Sequence, residues 1–249
     1  MIIIKTDKEI KLIREGGKIL ASIMDELEEM IVPGIATIDI DKKAVQLTEE
    51  YGAKPSFRGY RGFPASVCTS VNDKVVHSVP RDEILKEGDI IGIDYGLLYK
   101  EHFTDMARTI AVGNISKELK KLIKITKDSL NIGIDQVKPG NKIGDIGNAI
   151  QNYVELNGFS VVRELVGHGV GKKVHEDPQI PNYGVKGKGP MLKKGMVIAI
   201  EPMVNIGSYE IKLLDDGWSF ATKDGSMSAH FEHTIAVTDD GYEILTVNN

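Results

Sequence analysis

Two aspartates, Asp94 and Asp105, are placed where the two strands of a hairpin could bring them together. Apolar residues precede Asp94, and the segment between the aspartates is short enough for a tight turn, which we expect at Tyr99 and Lys100. The aspartates would then pair directly across the strands, with Cβ atoms about 5 Å apart. Facing carboxylates repel, and a bound cation would remove the repulsion. The alternative is a pair of aspartates on a solvated hairpin face.

Two glutamates occupy related places later in the chain. Glu201 ends the apolar run VIAIE, which predicts a buried strand, and a buried carboxylate needs a partner. Glu232 lies in the strand-like segment HFEHTI. Four converging carboxylates would carry a charge that two divalent cations such as Mn, Fe, Co or Zn could neutralise. His168, framed by glycines in GHGVG, is a candidate nitrogen ligand, although a single loop histidine usually has no such role.

An internal repeat gives a reason for these residues to converge. The segments IVPGIATID and VKPGNKIGD lie 106 residues apart, and KEGDIIGID and KKGMVIAIE lie 107 residues apart and end in Asp94 and Glu201. The sequence TIAV recurs after 125 residues, close to Asp105 and Glu232, which are two residues out of step. A shift of two keeps a side chain on the same strand face. We expect a single domain over residues 1–249, with related halves of roughly residues 7–113 and 114–249 around a pseudo-two-fold axis.

The elements that would position these residues have the same order in both halves. Helical apolar spacing predicts helices over residues 7–30, 38–51, 117–137 and 143–156. Strands are predicted over residues 90–95, 103–112, 197–204 and 230–237. Helices followed by antiparallel strands indicate an α+β protein and not a doubly wound parallel sheet.

Composition narrows the class of protein. A net charge of −5 argues against nucleic acid as the main partner, and the lysine-dense segment 116–127 is typical of the solvated face of an amphipathic helix. The single cysteine, Cys68, allows no intramolecular disulfide. The apolar run near Met1 is too short for a signal peptide, and no run approaches a membrane span. We therefore expect a cytoplasmic protein without a membrane partner.

The ordered set of these motifs resembles the methionine aminopeptidases over nearly the whole chain. Each motif is weak by itself, but together they are specific. The resemblance rests on seven residues and their surroundings: His77 in VVHSVP, Asp94 in IGIDYG, Asp105 in HFTDMA, His168 in ELVGHGVG, His175 in VHEDPQIPNYG, Glu201 in IEPM and Glu232 in HFEHTI. It implies the pita-bread fold, whose two related halves carry helices on a curved, mainly antiparallel sheet.

The resemblance also implies a dinuclear metal site and a role for each ligand. Asp105 and Glu232 would bridge both ions, and Asp94 would complete the shell of one ion. His168 and Glu201 would complete the shell of the other, and Glu201 would also act as the base.

The remaining histidines would act on the substrate. His175 would hydrogen-bond the scissile carbonyl and its oxyanion, and His77 would contact the substrate backbone near the cleaved bond.

A methionine pocket follows from the same resemblance. Tyr60, Phe63, Cys68 and Trp218 would form an aromatic slot for the thioether chain, although Trp218 could also be an ordinary core residue. Phe57 and Val174 occupy flanking positions where some relatives differ. The implied activity is removal of the first methionine from nascent polypeptides, preferentially before a small second residue. The ribosome is a possible partner, and we expect a monomer.

Three other functions compete with this interpretation. A prolidase or aminopeptidase P would carry an additional N-terminal domain, whereas catalytic-type sequence here begins near residue 7. A binding module that has lost its metals is disfavoured because all five ligands are present. A ribosome- or RNA-associated factor without catalysis is disfavoured by the acidic balance. The interval of 31 residues between Glu201 and Glu232 contains no helical pattern, and we expect no N-terminal zinc-binding extension, so the chain resembles the minimal type I enzymes.

Overall fold

The computed structural model describes residues 1–248, in which two pairs of helices each precede a set of strands. The helices are α1 (Asp7–Glu29), α2 (Thr37–Glu50), α3 (Lys117–Ile134) and α4 (Ile143–Leu156), with a short 3₁₀ turn at Tyr60–Gly62. The strands before α3 are β1 (Lys54–Pro55), β2 (Cys68–Val71), β3 (Lys74–Val76), β4 (Ile90–Tyr99) and β5 (His102–Ala111). Those after α4 are β6 (Ser160–Val161), β7 (Gly167–Gly169), β8 (Glu176–Ile180), β9 (Val197–Ile200), β10 (Met203–Asn205), β11 (Ile211–Leu213), β12 (Phe220–Thr222), β13 (Ser228–His230), β14 (His233–Val237) and β15 (Tyr242–Ile244).

All the described strand pairs are antiparallel, and two of the sheets have the same plan. In the first, β4 lies between the long partner β5 and the strands β2 and β1. In the second, the order is β15-β14-β9-β7-β8, so that β9 lies between β14 and β7. Smaller sheets, β13-β10-β6 and β11-β12-β3, complete the structure. Each half thus presents two helices followed by a central strand with a neighbour on each side.

Each helix pair buries its apolar face on the sheet of its own half. In the first half Leu20 and Ile40 belong to one cluster with Ile93 of β4. In the second half Leu122 and Ile146 belong to a cluster that includes strands β9 and β14. Removing this apolar surface from water is the main source of stability, at about 25 cal/mol per Å².

Local sequence signals determine where the helices begin. At α1 the Thr6 hydroxyl accepts a hydrogen bond from the backbone N–H of Glu9, whose carboxylate accepts one from the Thr6 N–H at 2.7 Å. This capping box satisfies two N–H groups that the helix leaves free. At α3 the Ser116 hydroxyl accepts from the N–H of Leu119 at 3.2 Å. None of the helices within residues 1–248 is both long and apolar enough to cross a lipid bilayer.

The predicted helices are confirmed to within three residues at each end, but two predicted strands are divided. The strand predicted over residues 197–204 stops at Ile200 and resumes at Met203, because Pro202 has no N–H to donate to a ladder. The strand predicted over residues 230–237 is interrupted at Phe231 and Glu232. Both interruptions coincide with a glutamate that the sequence singled out, so these carboxylates lie at breaks in the ladders.

Candidate metal centre and substrate pocket

The β4–β5 hairpin places Asp94 and Asp105 on one face, but not directly opposite each other. The predicted turn position was wrong by one residue: the turn is formed by Lys100 and Glu101, which both adopt positive φ, of 45° and 63°. A two-residue turn with positive φ at both residues matches the right-handed twist of the two strands that it joins. Asp94 consequently pairs with Ala107, and Asp105 lies two residues before that partner. Side chains two residues apart share a face, so the aspartates are diagonal neighbours.

The glutamates of the second half meet at the breaks in the ladders. Ile200 of β9 pairs with His233 of β14, and one further step in this register brings Glu201 opposite Glu232. The two-residue offset found in the sequence therefore corresponds to direct pairing in one half and diagonal pairing in the other. Glu232 also forms a bridge to Ala107, with its N–H 2.9 Å from the Ala107 carbonyl oxygen, and this bridge joins the two halves.

His168 enters the same region from β7. It pairs with Ala199 of β9, and the neighbouring glycine is required, because a Cβ at Gly167 would lie 2.4 Å from the Ala199 carbonyl oxygen. Burial lowers the pKa of His168 to about 3, so the imidazole is neutral at physiological pH. Its Nδ1 lies 2.9 Å from the carbonyl oxygen of Gly169, to which it donates. The other nitrogen, Nε2, then carries a lone pair and is available as a ligand.

Several acceptor atoms face each other at this point without a donor between them. The Nε2 atom of His168 lies 3.6 Å from a carboxylate oxygen of Glu201, 3.9 Å from Asp105 and 4.0 Å from Glu232. Among residues 1–248, one oxygen on each of three carboxylates is buried without a hydrogen-bond partner: Asp94, Asp105 and Glu232. Buried polar atoms are normally satisfied, and a cation is the partner that this set of acceptors fits.

The electrostatics of the four carboxyl groups lead to the same conclusion. Burial raises the pKa of Asp94 to about 7. Burial, and then the neighbouring carboxylates, raise the pKa values of Asp105, Glu201 and Glu232 well above their usual range. One ligand atom from each of Asp105, His168 and Glu232 can be chosen so that all three lie within 4.8 Å of one another. The residues present therefore fit divalent cations.

A cavity of about 390 Å³ opens onto these carboxylates. Its lining includes every residue predicted for the site: the catalytic and substrate-contacting His77 and His175, the pocket residues Tyr60, Phe63, Cys68 and Trp218, and the five proposed ligands Asp94, Asp105, His168, Glu201 and Glu232. The flanking residue Phe57 also lines it, whereas Val174 packs behind the wall with Phe63 and Cys68.

The apolar wall is built against β4. Cys68 of β2 pairs directly with Asp94, so the thiol is buried beside the carboxylates. The rings of Phe63 and Trp218 meet edge to face with centroids 5.3 Å apart. Gly96 allows Phe57 to reach the wall, because a Cβ there would lie 2.6 Å from its ring. An unbranched apolar side chain would fit between these surfaces.

Two further histidines, His77 and His175, line the cavity. The Nδ1 atom of His175 lies 2.9 Å from the Tyr60 hydroxyl oxygen, and its ring lies 4.3 Å, between centroids, from that of His168. His77 has a positive φ of 59°, an uncommon conformation for a non-glycine residue and one that recurs at functional sites. Burial lowers the pKa values of both histidines to about 4, so both are neutral at physiological pH.

Sequence reasoning missed several residues at this site. The cavity lining also includes Arg61, Leu165, Leu213, Gly217 and Phe220. His230 is buried, and its Nε2 atom lies 3.8 Å from a carboxylate oxygen of Glu201 and has no hydrogen-bond partner within residues 1–248. Its proximity to Glu232 in HFEHTI was the available signal. Leu213 and Gly217 belong to the β11–β12 hairpin, which carried no chemical signal.

Comparison with known proteins agrees with this architecture. Residues 11–239 match the sequence profile of metallopeptidase family M24. A methionine aminopeptidase of Clostridium perfringens is 53% identical over 247 residues, which cover 99% of each chain. The crystal structure of methionine aminopeptidase from Rickettsia prowazekii is similar with a TM-score of 0.98 and 42% identity, covering 99% of this chain and 100% of the other.

A prolidase is a more distant relative. The prolidase from Pyrococcus furiosus shows a TM-score of 0.82 and 25% identity, and the match covers 99% of this chain but 66% of the prolidase. The expected α+β pita-bread fold is confirmed, and the prolidase alternative is disfavoured. The chain belongs to metallopeptidase family M24, within which it is a member of the methionine aminopeptidases.

Proposed function

We propose that this chain is a metal-dependent exopeptidase that removes the N-terminal methionine of polypeptides, preferentially when the second residue is small. The observation that carries the proposal is a pocket with an aromatic wall beside a buried set of unsatisfied carboxylate oxygens and the Nε2 lone pair of His168. The first feature suits a thioether side chain, and the second suits divalent ions.

Five side chains would hold two divalent ions of Co, Mn, Fe or Zn. Asp105 and Glu232 would be shared between the ions, Asp94 would complete one shell, and His168 with Glu201 would complete the other. Asp105 and Glu232 come from different halves of the chain, and the bridge between Ala107 and Glu232 supports their approach. When bound, such ions lower the pKa of a water molecule and polarise a carbonyl group.

The residues of the chain then divide the chemistry between them. Glu201 accepts a proton from the attacking water. The Tyr60 hydroxyl oxygen lies 2.9 Å from Nδ1 of His175. In the role proposed for His175, this hydroxyl donates to Nδ1 and the imidazole carries its proton on Nε2. That N–H donates to the scissile carbonyl oxygen and stabilises the negative charge that develops on it. His77 contacts the substrate backbone beside the cleaved bond.

The shape of the pocket accounts for substrate choice. The methionine side chain lies against Phe63, Cys68 and Trp218, and its sulfur meets soft, polarizable surfaces. The next substrate residue lies beside His175, where a large side chain would meet the cavity wall. A blocked amino group would prevent the N-terminus from entering.

The biological setting follows from this activity. We propose that the substrates are nascent polypeptides in the cytoplasm, with the ribosome as a possible partner and the enzyme as a monomer. The single cysteine and the net charge of −5 support a reducing compartment and argue against direct recognition of nucleic-acid sequence.

A peptide panel with controlled metal content tests the proposal. Protein stripped of metal should be inactive, and adding back Mn, Co, Fe or Zn one at a time should identify the ions that restore cleavage. With the restored enzyme, Met-Ala, Met-Gly and Met-Ser peptides should be cleaved at least about 10-fold faster than Met-Lys, Met-Leu and Met-Phe peptides. N-acetylated Met-Ala peptide and an Xaa-Pro dipeptide serve as controls that should not be cleaved. Equal rates across the panel, or full activity of metal-free protein, would contradict the proposal.

A further inference from the structure

The loop over residues 57–63, with the sequence FRGYRGF, carries two arginines, one of which lines the cavity. Arg61 lines the cavity and is exposed, whereas Arg58 is exposed but lies outside the lining. The Arg61 guanidinium carbon lies 5.4 Å from the centroid of the Tyr60 ring, and the Tyr60 hydroxyl contacts His175. Arg61 is therefore next to the residues that would hold the scissile bond.

These two arginines differ from the other four in the chain. Within residues 1–248, Arg58 and Arg61 take part in no ion pair and no side-chain hydrogen bond. The others are paired with carboxylates: Arg14 with Glu243, Arg81 with Asp216, Arg108 with Asp25 and Glu28, and Arg163 with Glu155. Among the described residues, the arginine that lines the pocket is thus without an ion-pair partner, and so is its neighbour in the same loop.

The backbone holds Arg61 in an uncommon conformation. Its φ and ψ are 50° and 18°, in the left-handed region, and Gly59 and Gly62 on either side also have positive φ. Hydrogen bonds from the Gly59 N–H to the Phe63 carbonyl and from the Phe63 N–H to the Tyr60 carbonyl, both at 2.9 Å, close the loop. A non-glycine residue keeps this conformation only where the surrounding structure holds it, so the closed loop fixes the direction in which Arg61 leaves the backbone.

The cavity lining contains one cationic side chain and four carboxyl groups. Among the described residues that line the cavity, Arg61 is the only one with a permanent positive charge, and four carboxylates lie below it. Because two divalent ions would offset these carboxylates in the metal-loaded enzyme, Arg61 is left as the permanent charge that an acidic group of a substrate would meet and be attracted to.

The direction of the substrate decides which part of it meets Arg61. An exopeptidase holds the N-terminal residue at the closed, buried end, here formed by Phe57, Phe63 and Cys68. The rest of the peptide must leave through the open end, where His175 and Arg61 are exposed. An extended chain advances about 3.3 Å per residue, so substrate residues beyond the second are the ones that leave the pocket on the side of Arg61.

We propose that Arg61 forms a subsite for a carboxylate side chain, aspartate or glutamate, at the third or fourth residue of the substrate. This inference rests on the proposed function and adds a second determinant of specificity to the small second residue. Arginine suits the role because its planar guanidinium can donate two parallel hydrogen bonds to a carboxylate.

The test is a charge-swap experiment on peptides that share Met-Ala and carry Glu, Gln or Lys at position three, with a second set varied at position four. For the wild-type enzyme at low salt we expect kcat/KM to favour Glu over Lys by about 3- to 20-fold, mainly through KM. Arg61→Gln should bring this ratio close to one, and Arg61→Glu should reverse it. Raising the salt concentration should weaken the preference because the site is exposed.

Arg58→Gln is the matched control, since it removes an equally exposed arginine of the same loop that does not line the cavity. Arg58→Gln should keep the wild-type ratio and cleave the Gln peptide at a rate within about 3-fold of wild type. For the Arg61 variants the measured quantity is the Glu-to-Lys ratio, which compares two peptides on the same enzyme and does not depend on its basal rate. An unchanged Glu-to-Lys ratio in Arg61→Gln, or an equal loss in Arg58→Gln, would overturn the inference. Failure of the metal-loaded wild type to cleave even the Gln peptide would instead refute the proposed function.

Discussion

Two groups of buried charge lie next to each other in this protein, and they are stabilised in opposite ways. Lys5 and Glu176 form an ion pair at 2.5 Å, and each side chain is only 1% exposed. The second oxygen of Glu176 accepts hydrogen bonds from the backbone N–H groups of Lys172 and Lys173, at 2.5 and 2.9 Å. Every charge in this group has a partner that the chain itself supplies.

The carboxylates of the cavity have no such partner. Asp94, Asp105 and Glu232 each keep a buried oxygen without a hydrogen bond among residues 1–248, and the nearby His168 is neutral. Glu176 follows His175 directly, and the ring of His175 lies 4.3 Å, between centroids, from that of His168, so His175 lies between the two groups. The comparison indicates that the Lys5–Glu176 pair is part of the folded framework, whereas the cavity carboxylates require a bound cation to satisfy them.

The largest expected effect concerns the metal ions that would complete the carboxylate group. His168→Ala should abolish activity and lower the metal content, because it removes a proposed ligand. His175→Ala should lower kcat by about 10² to 10³, with little change in KM and with metal content near wild type.

Steady-state kinetics and elemental analysis of the two variants side by side check this division of roles. A His175 variant that loses its metal, together with a His168 variant that keeps it, would show that the roles are reversed.

The next largest effect concerns the buried ion pair of Lys5 and Glu176. Lys5→Met should destabilise the protein by about 3 to 5 kcal/mol, because Glu176 is left buried without its counter-charge. The double variant Lys5→Met with Glu176→Met should regain most of this loss, since no unpaired charge remains. Denaturant unfolding of both variants gives the comparison. A double variant no more stable than the single one would show that the ion pair itself stabilises the fold.

The smallest expected effect is a change in stability at Glu232, and in metal-free protein it should be opposite in sign to the change caused by Lys5→Met. In metal-free protein, Glu232→Gln replaces a carboxyl group whose ionisation is disfavoured by burial and by its neighbouring carboxylates, and should raise stability by about 1 kcal/mol, or about 2 to 4 °C in Tm. With metal present, the same substitution should lower Tm because a ligand is lost. Thermal unfolding with and without chelator checks both signs. A lower Tm in both conditions would mean that the carboxylate is satisfied within the protein.

Much of the architecture was predictable from local pattern. Apolar spacing gave helix α4 with both ends correct and α1 to within one residue, because amphipathic periodicity and capping are local properties. The strands at Glu201 and Glu232 were extended too far, because the breaks depend on Pro202 and on the bridge to Ala107. The division into two halves stays a prediction, supported by the common order of helices and central strands.

The sequence by itself determined which residue types are available for metal chemistry. Four carboxylates and a glycine-framed histidine recur at spacings that an internal repeat and a family resemblance both explain. These features can be read directly because they depend only on residue identity and order.

Only the tertiary structure decided how these residues meet and what else joins them. The register of β4 and β5 follows from a turn at Lys100 and Glu101. Turns with positive φ usually contain glycine or asparagine, and neither is present here, so the sequence did not indicate the turn. The approach of Arg61 to the cavity depends on a left-handed backbone conformation at a non-glycine residue. Hairpin register and loop conformation arise from packing between segments distant in the chain, so local sequence does not encode them.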